Sequence, residues 1–276
     1  MKCFLALTLS LVCLSLSAQK YQGDSWATVK ASGKGTLTIV YYKQPGLIYS
    51  ENGKMKGICV EIISDFAEFV EQKYGKKVDV KYAGEETAFT DFLKTVQSTK
   101  DILGVTNVTI TEERKKVFKF TPPFLSNPPI LLTHKDAPNL TTYGDIKFLL
   151  KGYTAKIIGG STHVKRIEQL KKQYAPDLKI EYVENGPGIL RDIIANPKIF
   201  TILDFTEYVD AVRKNLPVKR QNLDLGNMED LAYIMAKRSD WDEPWNAFLT
   251  SSYRTSSRYR KIVVDNLGAT FLSVIK

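Results

Sequence analysis

Cysteine is nearly missing from this chain, with 3 in 276 residues, at positions 3, 13 and 59. The first two fall within M-K-C-F-L-A-L-T-L-S-L-V-C-L-S-L-S-A-Q, where one lysine precedes an apolar run that ends in small residues. That is the pattern of a secretory leader, and cleavage is expected after Ala18, giving a leader over 1–18. Cys59 then stands alone, so no intramolecular disulfide can form even in an oxidising compartment. Flanked by Ile58 and Val60, it reads as a buried, inert thiol. A lipid-carrying Cys13 is the weaker alternative, because Val12 is bulkier than the residue such a processing site wants.

Long apolar runs are scarce as well. The stretch over 3–16 is too short to span a bilayer comfortably, and no later one approaches the roughly 20 apolar residues of a membrane helix. The expectation is an exported protein, periplasmic or otherwise outside the cytoplasm. The net charge of +9 would suit a polyanion, but the lysines and arginines are dispersed and no RNA- or DNA-binding motif accompanies them, so no nucleic-acid partner is expected. There is no tandem repeat and no low-complexity tract. Histidine is limited to His134 and His163, which no motif singles out, and both read as exposed or capping residues. No metal and no cofactor is expected.

What the sequence does contain is alternation. G-T-L-T-I-V-Y-Y over 35–42 reads as a strand, and Glu51-Asn52-Gly53 as a turn. From Gly57, apolar residues at helical spacing place Ile58, Ile62, Phe66 and Phe69 on one face, with Gly75 as the stop. Strand 78–82, helix 87–98 and strand 101–105 follow. A second copy of the theme places strands at 155–158, 178–183 and 200–204, with helices at 161–174, at 188–195 and after 204. This β-α-β alternation predicts an open α/β sheet in each of two lobes. Between them P-P-F-L-S-N-P-P, over 122–129, opposes helix and favours an extended crossover. The tail from Glu229 reads as a strand, a helix around 241–248 and a last helix near 257–267. It is too small for a third domain and should pack onto a lobe. The division expected is 27–126 with 226–276 for the first lobe and 127–225 for the second.

Ligands of open α/β sheets bind beyond the carboxyl ends of the strands, and three loops here follow such ends. T-N-V-T-I-T-E-E-R, after the 101 strand, offers the Thr106 and Thr109 hydroxyls, backbone carbonyls and then Arg114. The planar guanidinium can hold a carboxylate bidentately, whereas Lys115 and Lys116 are point charges on flexible stems. G-G-S-T, over 159–162, stands between a strand and a helix, where free N–H groups and the helix dipole make an anion site. Asp204 ends the apolar run I-F-T-I-L, and a carboxylate leaving a buried strand needs a partner. Taken singly, each has a plainer reading: Arg114 as a surface residue, Ser161 or Thr162 as a helix cap, and Asp204 as an N-cap.

Together these motifs resemble the bacterial extracellular solute-binding proteins of family 3, the amino-acid type. These share a bilobal fold, periplasmic binding protein type II, with the ligand-binding domain of ionotropic glutamate receptors. The likeness runs from about Gly35 to Gly268. The family's T-I-T-x-x-R followed by F-[ST]-x-P-[YF] stands here as T-I-T-E-E-R-K-K-V-F-K-F-T-P-P-F. The resemblance implies that Arg114 grips a ligand α-carboxylate, that Thr109 supplies a hydroxyl, and that the carbonyl of Asn107 receives the ammonium. It further implies that the amides of Gly160-Ser161-Thr162 meet the same carboxylate and that Asp204 holds the ammonium.

G-I-C-V-E, over 57–61, is similar to the receptor branch's G-Y-C-V-D, and E-D-L-A-Y-I-M-A-K to the family's strand returning to the first lobe. The family's aromatic platform has no counterpart in K-Q-P-G-L, so Tyr42 or Tyr49 must substitute. Phe89 falls near a second platform position, although an aromatic on an amphipathic helix is more often core. The usual glycine before the 101 strand is absent, and the stretch 104–107 is one residue longer than the pattern.

The implied function is capture of an amino acid or related small solute between two lobes that close by a hinge, with an ABC permease as partner and a monomeric state. The competing readings within the same fold are a dehydratase of cyclic amino or keto acids, of the cyclohexadienyl or arogenate type, and a soluble sensory ligand-binding protein. N-V-T at Asn107 and N-L-T at Asn139 match a glycosylation sequon, and both read as chance matches.

Overall fold

The computed structural model describes residues 20–272, and the expected leader over 1–18 lies outside them. The chain begins with α1, Trp26–Ser32, whose N-cap Ser25 accepts from Thr28 N. Seven residues are too few to hold a helix in water, which is why local pattern does not reveal it. Tertiary contacts supply the difference: the N–H groups of Trp26 and Ala27 donate to the Asp240 carboxylate at 2.8 Å each, and the Trp26 ring packs 5.7 Å from that of Trp241. Next comes β1, Lys34–Tyr41, then a hairpin of β2, Tyr49–Glu51, and β3, Lys54–Lys56, turning on Asn52 and Gly53, both with positive φ.

Helix α2, Ile58–Tyr74, buries Ile58, Ile62, Phe66 and Val70 and ends at Gly75 in the left-handed region. Phe69, expected on that face, lies at its edge and is half-buried. Phe66 anchors the helix by stacking on Trp245 with centroids 3.8 Å apart. Cys59 is a free, fully buried thiol, and burial pushes it up to about 12. Then follow β4, Lys77–Glu85, α3, Phe89–Ser98, and β5, Ile102–Thr109. At the turn into β5, where the expected glycine is missing, Asp101 takes φ +59, a left-handed conformation that Asp tolerates better than most residues. The first pass closes with α4, Glu112–Val117, β6, Phe118–Phe120, and β7, Leu125–Asn127.

After Pro128 the chain enters a second sheet. Its elements are β8, Pro129–His134, α5, Asp145–Leu149, β9, Thr154–Ile158, α6, His163–Tyr174, β10, Lys179–Val183, α7, Gly186–Ala195, β11, Ile199–Asp204, α8, Phe205–Arg213, and β12, Val218–Arg220. The strand order is β10-β9-β11-β8-β12. The β9, β10 and β11 pairs are parallel, and β8 runs antiparallel between β11 and β12.

The chain then returns to the first sheet through β13, Glu229–Ala236, followed by α9, Asp242–Phe248, α10, Ser251–Arg254, α11, Ser257–Leu267, and α12, Ala269–Leu272. That sheet is ordered β4-β1-β5-β13-β6, with β7 also paired to β13. The expected mixed α/β, two-lobed architecture is therefore present, and the two sheets are joined by two crossings, one at Pro128 and one between β12 and β13.

Candidate functional site

The sequence places T-N-V-T in a loop, but the structure keeps it in β5, which runs on to Thr109. The strand is irregular there: β13 advances from Ala232 to Ile234 while β5 goes from Val108 to Gly104, two residues against four. Such a bulge re-aims side chains, and it occupies the stretch expected to be one residue too long. Beyond it Thr111 caps α4 by accepting from Arg114 N at 3.1 Å. One turn of helix thus fixes the guanidinium of Arg114. Its Nη1 donates to Thr109 O and its Nη2 crosses to Gly160 O on the other lobe, each at 3.0 Å, while Cζ lies 5.5 Å over the Phe89 ring. Burial pushes the guanidinium below its ordinary value, with Glu229 and Asp204 pulling the other way. Arg114 is therefore not the surface residue that a charged run suggests.

On the facing lobe, G-G-S-T makes the turn between β9 and α6, with Gly160 at φ +76. The expected capping does not occur. Thr162 occupies the N-cap without a side-chain bond to the helix, and its hydroxyl instead donates to Glu229 Oε2 at 3.1 Å. Ser161 turns its hydroxyl (2.7 Å) and its amide (3.2 Å) onto Ile158 O, so that amide is already engaged. Asp204 ends β11, caps α8 and is 4% exposed. Its Oδ2 accepts from the Asn107 side-chain amide, and Oδ1 lies 3.3 Å from His163 Nε2. Asn107 thus meets Asp204 through its side chain, where the sequence pattern assigned a role to its carbonyl.

Tyr42 and Phe89 close the aromatic side, their rings edge to face with centroids 5.4 Å apart. The Tyr42 hydroxyl reaches Glu184 O across the lobes at 3.1 Å. Tyr49 lies apart, on the β2–β3 hairpin. One cavity is lined by all eight residues singled out from sequence, namely Arg114, Thr109, Asn107 and Phe89 with Tyr42 from one lobe and Ser161, Thr162 and Asp204 from the other. The open space among them is about 30 Å³, room for a water or two. The lobes are closed tightly on one another.

Sequence reasoning missed several groups in and beside this cavity. Glu229, 7% exposed, accepts from Thr109 Oγ1 at 2.7 Å and from Arg166 Nη2 of α6. Burial pushes its carboxyl up, but His163, Arg166 and the Thr109 hydroxyl outweigh that, and the net shift is downward. The signal was hidden because a glutamate heading an apolar strand looks like a solvated end. His163, expected to be exposed or capping, is 5% exposed and lines the cavity, while His134 is buried in β8 with Nδ1 accepting from Asp136 N. Gln44 and Glu207 also line the cavity. Glu207 Oε2 accepts from Asp204 N at 3.0 Å, and its carboxyl is pushed up to about 8 by burial and by the Asp204 carboxylate. No group of three or more metal-ligating side chains occurs among the described residues.

Two α/β lobes, crossed twice by the chain and closed over a small cavity at their strand ends, define the type II periplasmic binding protein class. More narrowly, the chain belongs to the bacterial extracellular solute-binding proteins, family 3, whose model matches residues 37–264. It is 29% identical over 172 residues to the probable amino-acid-binding protein YxeM of Bacillus subtilis, covering 62% of this chain and 60% of that protein. It is 23% identical over 210 residues to the membrane-bound lytic murein transglycosylase F of Pseudomonas fluorescens, covering 75% of this chain and 40% of the enzyme. The matches thus span 60% of the length of the first relative and 40% of the second, each less than two thirds. The arginine-, lysine-, histidine-binding protein ArtJ of Geobacillus stearothermophilus superposes with a TM-score of 0.69 at 17% identity, over 84% of this chain and 95% of that one. At that identity the likeness is one of fold.

Proposed function

We propose that this protein captures an α-amino acid between its two lobes and delivers it to an ABC-type importer. The observation that supports this most is convergence. The guanidinium of Arg114 and the hydroxyl of Thr109 come from one lobe, the Thr162 hydroxyl and the Asp204 carboxylate from the other, and all line one cavity. A carboxylate suits the first group and an ammonium suits Asp204, so a zwitterion is held at both ends. Tyr42 and Phe89 form an aromatic wall, and Asn107 and Ser161 brace the two sides. Because the cavity is too small for an amino acid as it stands, entry requires the lobes to part about the two crossings, the hinge closure common in two-lobed binding proteins. The first lobe comprises 27–126 with 226–276, and the second 127–225. The protein acts as an exported monomer after loss of a leader over 1–18, without a cofactor. The amino-acid-binding descriptions of YxeM and ArtJ are in keeping with this reading.

A thermal-shift screen of the natural amino acids tests it. Ligand at about 100-fold over its dissociation constant adds roughly 2.7 kcal/mol, and a flat response to every amino acid overturns the proposal.

A second reading is favoured by one observation, the buried pair of His163 and Asp204 facing the cavity. A histidine held against a carboxylate is the usual arrangement of a general acid or base, and in this fold it suits dehydration of a cyclic acid. Incubation with prephenate or arogenate, followed by absorbance, decides it: turnover removes the non-enzymatic assignment.

A further inference from the structure

At the pole of the second lobe away from the cavity lies a surface that solute capture does not use. Strands β9, β10 and β11 run parallel from that pole, and β9 and β11 finish at Ile158 and Asp204, which line the cavity. Beside the first residues of β9 and β10 sits the short helix α5. Its run I-K-F-L-L turns Ile146 and Leu150, four apart, to one side, where both are buried. Lys147, Phe148 and Leu149 between them are left facing solvent. Phe148 is 73% exposed and Leu149 44%. A lone exposed apolar residue needs no explanation. Phe148, however, stands at the rim of a hollow of about 440 Å³ that Ile146, Leu150, Tyr153, Pro176 and Leu178 line with further apolar surface.

The same pole collects charge of one sign. Lys147, Lys151 and Lys179 line the hollow, Lys172 stands in the last turn of α6, and Lys198 lies beside the start of β9, its carbonyl accepting from Thr154 N. All five are exposed. Only Lys179 forms an ion pair among the described residues, with Glu181 at 2.7 Å. The other acids at this pole are Asp177, which lines the hollow, and Asp145, whose Oδ2 already accepts from the amides of Thr141 and Thr142. None of the five cations is an arginine, so the set offers separate point charges rather than planar forks. That suits a diffuse layer of phosphates better than one shaped carboxylate.

We infer that this face docks the protein on an anionic lipid surface, with the lysines against the lipid phosphates and with Phe148 and Leu149 entered at the headgroup boundary. Neither element suffices alone. The attraction of lysines falls off within a screening length of the surface, and a small apolar insertion gives only marginal binding, whereas the two together hold a protein reversibly at an interface. Because the face lies at the opposite end of the strands from the cavity, docking leaves the cleft free to open and close.

Co-sedimentation of the full protein with lipid vesicles tests the docking. Vesicles of phosphatidylcholine mixed with phosphatidylglycerol are expected to bind it about tenfold or more tightly than phosphatidylcholine alone, and the binding should vanish at about 1 M salt, where the screening length is about 3 Å. Phe148→Ser, and the pair Lys147→Glu with Lys151→Glu, are each expected to weaken binding about fivefold or more. The pair Lys54→Glu with Lys81→Glu, exposed on the first lobe, makes the same change in net charge and should weaken binding less than about twofold. Equal binding to both kinds of vesicle, or binding to neither, overturns the inference. So does a first-lobe pair that loses as much as the α5 pair, since the attraction then belongs to the overall charge of +9. Undiminished binding by Phe148→Ser overturns it too, because no apolar entry then takes place.

Discussion

Thr162 on the second lobe donates its hydroxyl across the cleft to Glu229 Oε2 of the first, at 3.1 Å. Thr109 donates to the same oxygen at 2.7 Å, and Arg166 holds the other oxygen of that carboxylate. The two hydroxyls proposed to grip a solute carboxylate are thus already occupied by a carboxylate of the protein. Glu229 ties the lobes shut through three donors, two of which belong to the second lobe.

Replacing Glu229 with alanine is expected to open the cleft. The loss leaves the half-buried Arg166 with Leu225 O but without its carboxylate partner and removes about 2 kcal/mol or more from the closed arrangement. Small-angle X-ray scattering of the solute-free variant should give a larger radius of gyration than the wild type. An unchanged radius means that closure is held by other contacts.

Arg114→Ala is expected to lose about 3–5 kcal/mol of solute affinity, because a buried carboxylate is left without its charged donor. Arg114→Lys should recover only a minor part, since an ammonium cannot serve Thr109 O and Gly160 O while forking to a carboxylate. Titration calorimetry reads both variants, and normal binding by Arg114→Ala would show that the solute sits elsewhere.

Glu207 makes stability depend on pH. Its carboxyl is raised to about 8 in the folded protein, above an unfolded value of about 4.3, so the folded state binds the proton more tightly. Its contribution is fully present below about pH 4 and declines as the pH rises toward 8. Between pH 5 and pH 8 the wild-type melting temperature should therefore fall more than that of Glu207→Gln. Parallel curves for the two proteins would rule out the buried acid as the cause.

Phe66→Ala should cost about 3–5 kcal/mol of stability, because the ring is fully buried and stacked on Trp245 at 3.8 Å. It lies in the first-lobe core away from the cleft. Chemical denaturation should show the loss, while solute affinity below the transition stays near that of the wild type.

The parts of this molecule that were legible in sequence share one property: their signal is local. Alternation located β1, α2 and β9 to within a residue or two, and the run from Thr109 to Arg114 located one wall of the cleft through its likeness to the family's T-I-T-x-x-R, since Arg114 taken singly reads as a surface residue. What was hidden depends on distant partners. α1 exists because Asp240 and Trp241 hold it. β8 and β12 went unread because prolines and basic residues obscure strands that pair only with each other and with β11. Glu207 and Glu229 resemble ordinary solvated acids on a helix and at a strand end. Glu207 is held by Asp204 N, and Glu229 by Arg166 and two threonines that are distant in sequence.

The return of β13 between β5 and β6 fixes an order of assembly. The second sheet is built from one unbroken stretch, β8 to β12, and can form as soon as that stretch is available. The first sheet lacks an inner strand until residues 229–236 are added. Until then β5 presents an unpaired edge to solvent, the kind of surface on which partly made chains aggregate. The lobe that starts first in the chain is thus the one that finishes last.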